Sequence, residues 1–292
     1  MGAASGGPFT AAVVTGAGSG LGQALVLELA ERGVDVVAAD IDGDRLAETK
    51  DRAEAAGLLG TVHPWVCDVR DREQIVELAD GSEELLGPVD LLVNNAGIGI
   101  GGRDVGQWQD RDWVQALDVN LLGVVHGCEV FLPRMRAHRR GYVINVASAA
   151  GLIGPAGMAP YNVSKAAVVA LTETTVQELA GSGVEVSVLC PGFFPTRVVE
   201  DGVREGRIDP AEARTARALM DFSRHQASDI ARIALDGAER GNLYIIPHQE
   251  VRLLWLLKRL MPTTYVRTLV PLTWGRARQM AARSAAAAER ST

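Results

Sequence analysis

The chain has 292 residues, of which 47% are hydrophobic and 22% charged, and its formal net charge is −7. This length is enough for one well-buried α/β domain, and the acidic balance argues against a nucleic-acid partner. Three widely spaced cysteines with no metal-ligand pattern favour buried thiols in a reducing compartment. We therefore expect a cytoplasmic protein with no secretory signal and no segment that spans a bilayer.

The first 40 residues predict a strand, a glycine-rich turn, a helix and a second strand. The short apolar run 9–15 stops at a cluster of glycines, and helical spacing over 24–30 follows and ends at Gly33. The β-branched run 34–39 then ends at Asp40. This order of elements indicates a βαβ unit.

The same alternation continues to residue 246. We predict helices over 43–56, 71–86, about 112–138, 161–180 and 228–239, and strands over 61–66, 89–93, 142–146, 184–189 and 243–246. Short buried strands that alternate with helices indicate a parallel sheet covered on both faces. The polar segment 195–226 breaks the rhythm and is typical of short helices in a lid or substrate loop.

A glycine cluster joins the first predicted strand to the first helix. It reads Thr15-Gly16-Ala17-Gly18-Ser19-Gly20-Leu21-Gly22. Glycines at such a turn allow the backbone to approach a pyrophosphate closely, and the following helix N-terminus presents N–H groups to that anion. A lone glycine cluster is weak evidence, but its position inside a βαβ unit predicts a dinucleotide site.

Asp40 lies at the end of the second predicted strand. An acid at this place can accept hydrogen bonds from the ribose hydroxyls of adenosine and repels the 2′-phosphate of NADP. Ser19 and Ile41 supply no cation that could bind such a phosphate, so we predict NAD as the cofactor. A solvated acid at a strand end is the alternative interpretation of Asp40.

A phenol and an ammonium lie four residues apart at Tyr161 and Lys165. This spacing places both groups on one face of a helix. A free phenol ionises near pH ~10, and a neighbouring cation favours the phenolate, so Tyr161 is a candidate general base. The pair by itself is more often an ordinary surface pair, and the other motifs decide between the two interpretations.

Taken together, the motifs resemble those of the short-chain dehydrogenase/reductase family. They are the glycine cluster, Asn94-Asn95-Ala96-Gly97, Ser148, Tyr161 and Lys165. The resemblance covers roughly residues 9–250. It implies one Rossmann domain over 1–250, with a doubly wound parallel α/β sheet of about seven strands, helices on both faces, and hydride transfer between an alcohol and NAD.

The resemblance also implies catalytic roles for four residues. Tyr161 matches the family's general acid/base, and Lys165 matches the residue that lowers the pKa of that tyrosine and holds the nicotinamide ribose. Ser148 would hold the substrate oxygen, although by itself it is an ordinary serine at a strand end. Asn120 matches an asparagine that kinks a helix and anchors a proton-relay water, and a purely structural role is nearly as good an interpretation.

Cofactor contacts are implied at the carboxyl ends of the strands. The positions are Gly16, Ser19, Gly20, Leu21, Gly22, Asp40, Ile41, Asp68, Val69, Asn95, Ala96, Gly97, Tyr161, Lys165, Pro191, Gly192 and Thr196. Asp68 matches the acid that bonds the adenine amino group, with Val69 beside the ring. Pro191, Gly192 and Thr196 resemble the segment that holds the nicotinamide carboxamide.

Several other side chains have a structural or an open interpretation. Met158, Phe193 and Phe194 either line an apolar substrate pocket or pack ordinarily. Asn94, Trp108 and Trp113 are interpreted as structural. The five histidines show no metal spacing, so no metal is predicted, and we interpret all of them as surface or loop residues: His63, His126, His138, His225 and His248.

Residues 251–292 form a C-terminal extension that is basic and apolar. They contain eight Lys or Arg and one acid, Glu289. Basic residues mixed with Leu and Trp are typical of a helix at an anionic membrane surface, here over 251–278. We favour the alternative that the extension packs over the mouth of the substrate site or on a neighbouring subunit. Either arrangement suits an apolar substrate.

The sequence therefore predicts an NAD-dependent oxidoreductase that acts on an apolar alcohol or ketone, the alcohol being secondary and steroid-like or lipid-like. The family resemblance implies a homotetramer or homodimer. We expect a cytoplasmic enzyme, with peripheral membrane contact as the alternative for the extension. Two other functions remain open at this point: a non-catalytic redox sensor that binds NAD, and a membrane-surface adaptor that acts through the basic extension.

Overall fold

The computed structural model describes residues 8–272, so part of the C-terminal extension, 273–292, lies outside the described residues. Seven parallel strands form one sheet in the order β3-β2-β1-β4-β5-β6-β7. The strands are β1 Ala11–Thr15, β2 Asp35–Asp40, β3 Val62–Val66, β4 Leu91–Asn94, β5 Gly141–Val146, β6 Val184–Leu189 and β7 Tyr244–Ile245. This sheet confirms the predicted doubly wound α/β fold.

Helices cover both faces of the sheet. They are α1 Gly20–Glu31, α2 Gly43–Ala55, α3 Arg72–Leu86, α4 Asp110–Leu117, α5 Gly123–His138, α6 Ala149–Ile153, α7 Ala159–Glu178, α8 Val198–Arg204, α9 Pro210–Asp221, α10 Ala227–Glu239, α11 Gln249–Leu260 and α12 Pro262–Thr264. There are also two π-helical turns in the described chain: Asp118–Leu122 joins α4 to α5, and Tyr265–Leu269 follows α12. The strand order reverses between β1 and β4, and a ligand crevice forms at such a switch point.

Alternate residues of the sheet belong to two separate cores. On one face, Val14 of β1 packs with Leu25 of α1 and Ile230 of α10. On the other face, Val13 packs with residues of α3, α5 and α7, among them Phe131. Because both faces are buried, the strands read as almost continuous apolar runs instead of alternating patterns.

The structure differs from the sequence prediction in the helix expected over about 112–138. A π-helical turn over Asp118–Leu122 divides it, and helical backbone begins earlier, at Asp110. The whole segment is long and apolar enough to cross a membrane by length and composition. Its apolar residues, however, include Val124 and Phe131 in the core beneath the sheet. Packing in the core therefore accounts for its composition.

The polar segment 195–226 folds into α8 and α9, as predicted, and the two helices share a small apolar cluster that includes Ile208 and Met220. The short helix α6 was not predicted. The extension packs against α6 through α11, where the Lys258 ammonium donates a hydrogen bond to the Leu152 carbonyl oxygen at 2.6 Å. The two helical segments and the extension all lie beside the carboxyl ends of the strands.

Candidate active site

In the glycine turn between β1 and α1, the main chain at Gly22 crosses close to the main chain at Gly16. Gly16 has φ +65°, and a Cβ on Gly22 would lie 2.0 Å from the Gly16 carbonyl oxygen, so neither position accepts a side chain without movement. The Asn95 amide donates to the carbonyl oxygens of Thr15 at 2.9 Å and Gly16 at 3.1 Å. The Asn95 side chain therefore braces the turn from the end of β4.

The Asp40 carboxylate is fixed at the end of β2. It accepts hydrogen bonds from the backbone N–H groups of Gly18 at 2.9 Å and Asp42 at 3.0 Å. Arg45, in the first turn of α2, lines the same cavity. No sequence motif indicated a role for this residue. Its guanidinium donates two hydrogen bonds of 2.9 Å to Asp201 in α8, and this bonding raises the pKa of Arg45. The cation beside Asp40 is thus already paired with a carboxylate.

Asp68 and Val69 follow β3 at the edge of the cavity. The Asp68 carboxylate accepts hydrogen bonds from Arg70, and this contact holds the pKa of Asp68 below its usual range. Val69 is buried, and a Cβ on Gly123 at the start of α5 would lie 2.8 Å from it. The small residue at Gly123 allows α5 to approach the segment after β3.

Ser148 follows β5 and caps the short helix α6. Its hydroxyl accepts a hydrogen bond from the Ala150 N–H at 3.1 Å, and the Ser148 side chain lies beside the Tyr161 phenol, where it acts to lower the pKa of that phenol. Burial is the larger influence on the pKa of Tyr161 and raises it. The sequence predicted a pKa lowered by Lys165, and the protein alone does not show this because desolvation dominates.

Lys165 is only 3% exposed, which contradicts the surface-pair interpretation. Its ammonium donates a hydrogen bond to the Val146 carbonyl oxygen at 2.9 Å, and burial lowers its pKa to about 8. A Cβ on Gly97 would lie 3.3 Å from Nζ and 3.1 Å from Asn120 Oδ1. The glycine after β4 therefore leaves space directly beside the ammonium.

Asn120 is fully buried in the π-helical turn. Its Oδ1 accepts from the Ile98 N–H at 2.7 Å, and its Nδ2 donates to the Ile98 carbonyl oxygen at 3.0 Å and to Ser164 Oγ at 3.2 Å. Asn94 is likewise buried and donates to Asn145 at 2.9 Å. The amide of Asn120 is used within the protein, and it ties the segment after β4 to the helix that carries Tyr161.

The loop after β6 contains Pro191, Gly192 and Thr196. Gly192 N–H donates to His248 Nδ1 at 3.0 Å, and His248 Nε2 lies 3.1 Å from the Phe193 carbonyl oxygen. His248 lies in the loop before α11, as interpreted, but it is not a surface residue, because it is 3% exposed and packs on the loop after β6. Thr196 lies over the glycine turn, where its Oγ1 would be 2.8 Å from a Cβ on Gly20.

One cavity of about 830 Å³ brings these groups together. Of the predicted site residues, all except Gly20 and Asn120 line it. Much of the remaining lining is apolar: Ile98, Ile100, Ile153, Met158, Phe193, Phe194, Val198, Val199, Ile208, Ala216, Leu219, Met220, Phe222, Val251, Leu254, Tyr265 and Val270. Helices α8 and α9 and the extension supply many of these residues. The described part of the extension, 251–272, therefore packs over the site, as the favoured interpretation expected.

Most of the other structural interpretations also fit the structure. Trp108 is buried and Trp113 partly buried in a small cluster with Ile100. Among the histidines, His138 is exposed at the end of α5 and His225 lies in a loop, as interpreted. His63 in β3 and His126 in α5 are instead half-buried within regular elements, and His126 contacts the Val69 carbonyl oxygen at 3.0 Å. The cysteines of the described chain are free and buried.

Residues 10–205 match the description of the short chain dehydrogenase family. The chain is 39% identical over 190 residues to the 3-oxoacyl-[acyl-carrier-protein] reductase FabG of Thermotoga maritima, which covers 64% of this chain and 75% of that protein. It is 33% identical over 260 residues to the putative oxidoreductase SadH of Mycobacterium tuberculosis, with 88% of this chain and 92% of that protein covered.

Solved structures agree with the sequence relatives. A short-chain dehydrogenase/reductase from Burkholderia phymatum in complex with NAD superposes with a TM-score of 0.79 at 36% identity, covering 86% of this chain and 94% of that chain. A metagenomic short-chain oxidoreductase in complex with NADP gives 0.67 at 27% identity, covering 83% and 98%. With the motifs, the sheet and these relatives in agreement, the chain belongs to the short-chain dehydrogenase/reductase family of oxidoreductases with an NAD(P)-binding Rossmann fold.

Proposed function

We propose that the protein is an NAD-dependent oxidoreductase that interconverts an apolar alcohol, in particular a steroid-like or lipid-like secondary alcohol, with its ketone or aldehyde. One observation carries the proposal. Tyr161 and Ser148 line the same cavity as the glycine turn and the large apolar surface of α8, α9 and the extension. A site that combines a dinucleotide cradle, a proton-transfer group and apolar walls suits this reaction.

The residues present fit a dinucleotide. No side chain caps the N-terminus of α1 at Ser19, so the first N–H groups of the helix remain for an anion. Gly16 and Gly22 have no Cβ at the turn between β1 and α1, and a Cβ at either position would fill the space that the pyrophosphate needs. Bound NAD would supply the hydride acceptor for alcohol oxidation. Asn95 and Ala96 at the end of β4 would complete the adenosine side of the site.

The protein's own residues would move the proton. In the oxidative direction the O–H bond of the alcohol would break and its proton would pass to the phenolate oxygen of Tyr161, while the carbonyl would form as the C–H electron pair leaves as hydride for NAD. Ser148 would donate a hydrogen bond to the substrate oxygen and stabilise its developing charge. Burial raises the pKa of the Tyr161 phenol, which suits proton donation in the reductive direction, and Lys165 is the cation that would favour the phenolate.

Two groups support NAD over NADP. The Asp40 carboxylate, held by the N–H groups of Gly18 and Asp42, would repel a 2′-phosphate, and Arg45 is bonded to Asp201. The kcat/KM with NAD should exceed that with NADP, and Asp40→Ala should lower the NAD value by about tenfold. A wild-type protein that prefers NADP would contradict the cofactor proposal.

The reaction is tested by screening apolar alcohols with NAD and following NADH formation. Tyr161→Phe should lower kcat by about a hundredfold to ten-thousandfold, because it removes the proton-transfer group, while NADH binding is retained. Tyr142→Phe is the matched control, since this buried phenol bonds to Ser187 outside the cavity lining. Full turnover by Tyr161→Phe would contradict the assignment of Tyr161 as the proton-transfer group.

A non-catalytic NAD-binding redox sensor is the rival proposal. It predicts NADH binding without turnover for every alcohol and ketone tested, in the wild type as well as in Tyr161→Phe. The complete set of Ser148, Tyr161 and Lys165 around one cavity argues against it. We further propose that the protein is cytoplasmic and forms a homodimer or homotetramer. Light scattering coupled to gel filtration would measure its molar mass and so test the oligomeric state.

We also propose peripheral contact of the extension with an anionic membrane surface. The outer face of α11 exposes Leu253, Leu256 and Leu260 beside basic residues, and the inner face lines the cavity with Val251 and Leu254. The full chain should sediment with vesicles that contain phosphatidylserine, and a Leu256→Glu and Leu260→Glu double variant should not. Equal sedimentation of both proteins would remove the membrane proposal.

A further inference from the structure

His248 joins the start of the C-terminal extension to the loop after β6. It follows β7 and immediately precedes α11. Its Nδ1 lies 3.0 Å from the backbone N of Gly192, and its Nε2 lies 3.1 Å from the carbonyl oxygen of Phe193. An N–H group needs an acceptor and a carbonyl needs a donor, so the two partners together specify the neutral imidazole with its proton on Nε2.

The packing around this imidazole fixes it in place. A Cβ on Gly192 would lie only 3.0 Å from His248 Cγ and 3.2 Å from Nδ1, so the ring lies directly against the glycine. On another side, the ring contacts His225, which lies between α9 and α10, with centroids 5.0 Å apart at an interplanar angle of 78°. The contact explains why the position after Pro191 is a glycine.

The same loop is held from its other side by the segment that follows β5 and carries Ser148. The Pro191 carbonyl oxygen accepts a hydrogen bond of 2.8 Å from the N–H of Ala149, the residue after Ser148. Cys190 N–H donates to the Ile245 carbonyl oxygen at 2.8 Å. The segment 190–193 is thus fixed between the first residue of α6 and His248.

We propose that His248 is a positioning residue for the cofactor: the neutral imidazole holds the main chain of Gly192 and Phe193 in the conformation that binds the nicotinamide. The inference rests on the proposed function and on the contact with the nicotinamide carboxamide that the family resemblance implies for this loop. His248 itself acts through the loop. The extension is therefore coupled to cofactor affinity through the side chain of the residue that precedes α11.

Protonation of His248 breaks this arrangement, because a proton on Nδ1 faces the N–H donor of Gly192. The charged and titratable groups that face the ring are Glu250 of α11, which favours the imidazolium, and His225, which opposes it. Burial is the largest influence and holds the pKa of His248 below its usual 6.5. Cofactor affinity should therefore be full at neutral pH and fall as the pH drops through that lowered pKa.

The test compares two substitutions by titrating the full-length protein directly with NADH, and with NADPH in parallel, between about pH 8 and about pH 5. Neither Asn nor Leu titrates at position 248, but the Asn side chain can accept a hydrogen bond from the Gly192 N–H and the Leu side chain cannot. His248→Leu should weaken dinucleotide binding by about tenfold at pH 8. His248→Asn should bind within about threefold of the wild type at pH 8 and keep that affinity at acid pH, where the wild type loses it.

The matched control is His138→Asn, which alters an exposed histidine outside the cavity and should behave as the wild type at every pH. If His248→Leu does not fold, the pH profile of His248→Asn alone decides. An acid loss of affinity that persists unchanged in His248→Asn would overturn the proposal, as would wild-type affinity in folded His248→Leu. Because the readout is binding, the absence of turnover with any alcohol would contradict the proposed reaction and leave this test intact.

Discussion

The cofactor side and the substrate side of the cavity are built by different means. On the cofactor side, the glycine turn, Asp40 and Asn95 are fixed mostly by contacts with main-chain atoms at strand ends. On the substrate side, α8, α9 and the extension contribute mostly apolar side chains. Main-chain geometry tolerates few sequences, whereas an apolar wall can be rebuilt from many. Substitutions should therefore affect all substrates equally on one side and selectively on the other.

The largest expected effect is at the main-chain crossing of the cofactor side. In Gly22→Ala the new Cβ would lie 2.0 Å from the Gly16 carbonyl oxygen, and the backbone must shift to admit it. We expect a loss of about 1–3 kcal/mol in the free energy of unfolding and a fall of at least about tenfold in NADH affinity, with kcat/KM reduced equally for every alcohol. Chemical denaturation and NADH titration measure the two effects.

Gly43→Ala is the control for that substitution. Gly43 begins α2, its φ is not positive, and the nearest atom to a new Cβ is the side chain of the exposed Val66 at 3.3 Å. This side chain can move, and Ala favours the helix. Stability should stay the same or rise slightly. A Gly22→Ala protein as stable and as tightly binding as Gly43→Ala would refute the account of the crossing.

The sequence predicted the features whose chemistry is local in the chain. The glycine turn, the spacing of Tyr161 and Lys165, and the alternation of strands and helices are each encoded within a few residues. The missed features depend on partners that are distant in sequence. Arg45 bonds to Asp201 across 156 positions, and His248 bonds to Gly192 across 56. Such pairs meet only after the sheet has formed.

The raised pKa of Tyr161 shows the same limit in electrostatics. The spacing of Tyr161 and Lys165 predicted a pKa lowered by the cation, and that much follows from sequence. The degree of burial does not, because it depends on how α7 packs against β5 and α6. Lys165 is 3% exposed and its ammonium bonds to the Val146 carbonyl oxygen. Desolvation of the phenol is then the largest influence on the pKa of Tyr161 and raises it.

A smaller and selective effect is expected on the substrate side at Tyr265. This residue of the extension is 2% exposed and lines the cavity. Tyr265→Ala removes a wall of the cavity, so the KM for the best apolar alcohol should rise by about tenfold, with larger alcohols affected less. The NADH affinity should stay within about twofold. Steady-state kinetics with alcohols of graded size measures the difference.

Leu253→Ala is the control for Tyr265→Ala, since Leu253 lies in the extension but is exposed on the outer face of α11. It should leave the size profile of the alcohols unchanged. If Tyr265→Ala reduces kcat/KM by the same factor for small and large alcohols, the two sides of the cavity do not differ in the way proposed here.

The smallest effect is expected where the extension is hydrogen-bonded to α6. The Lys258 ammonium donates to the Leu152 carbonyl oxygen at the end of α6, the helix that Ser148 caps. Lys258→Met keeps the apolar stem and removes this bond, which should cost about 1 kcal/mol. The substrate KM should rise about threefold and the NADH affinity should not change. Arg252→Met removes the same charge from an exposed position, so a matching rise in that variant would assign the effect to charge instead of to the bond that connects the extension to α6.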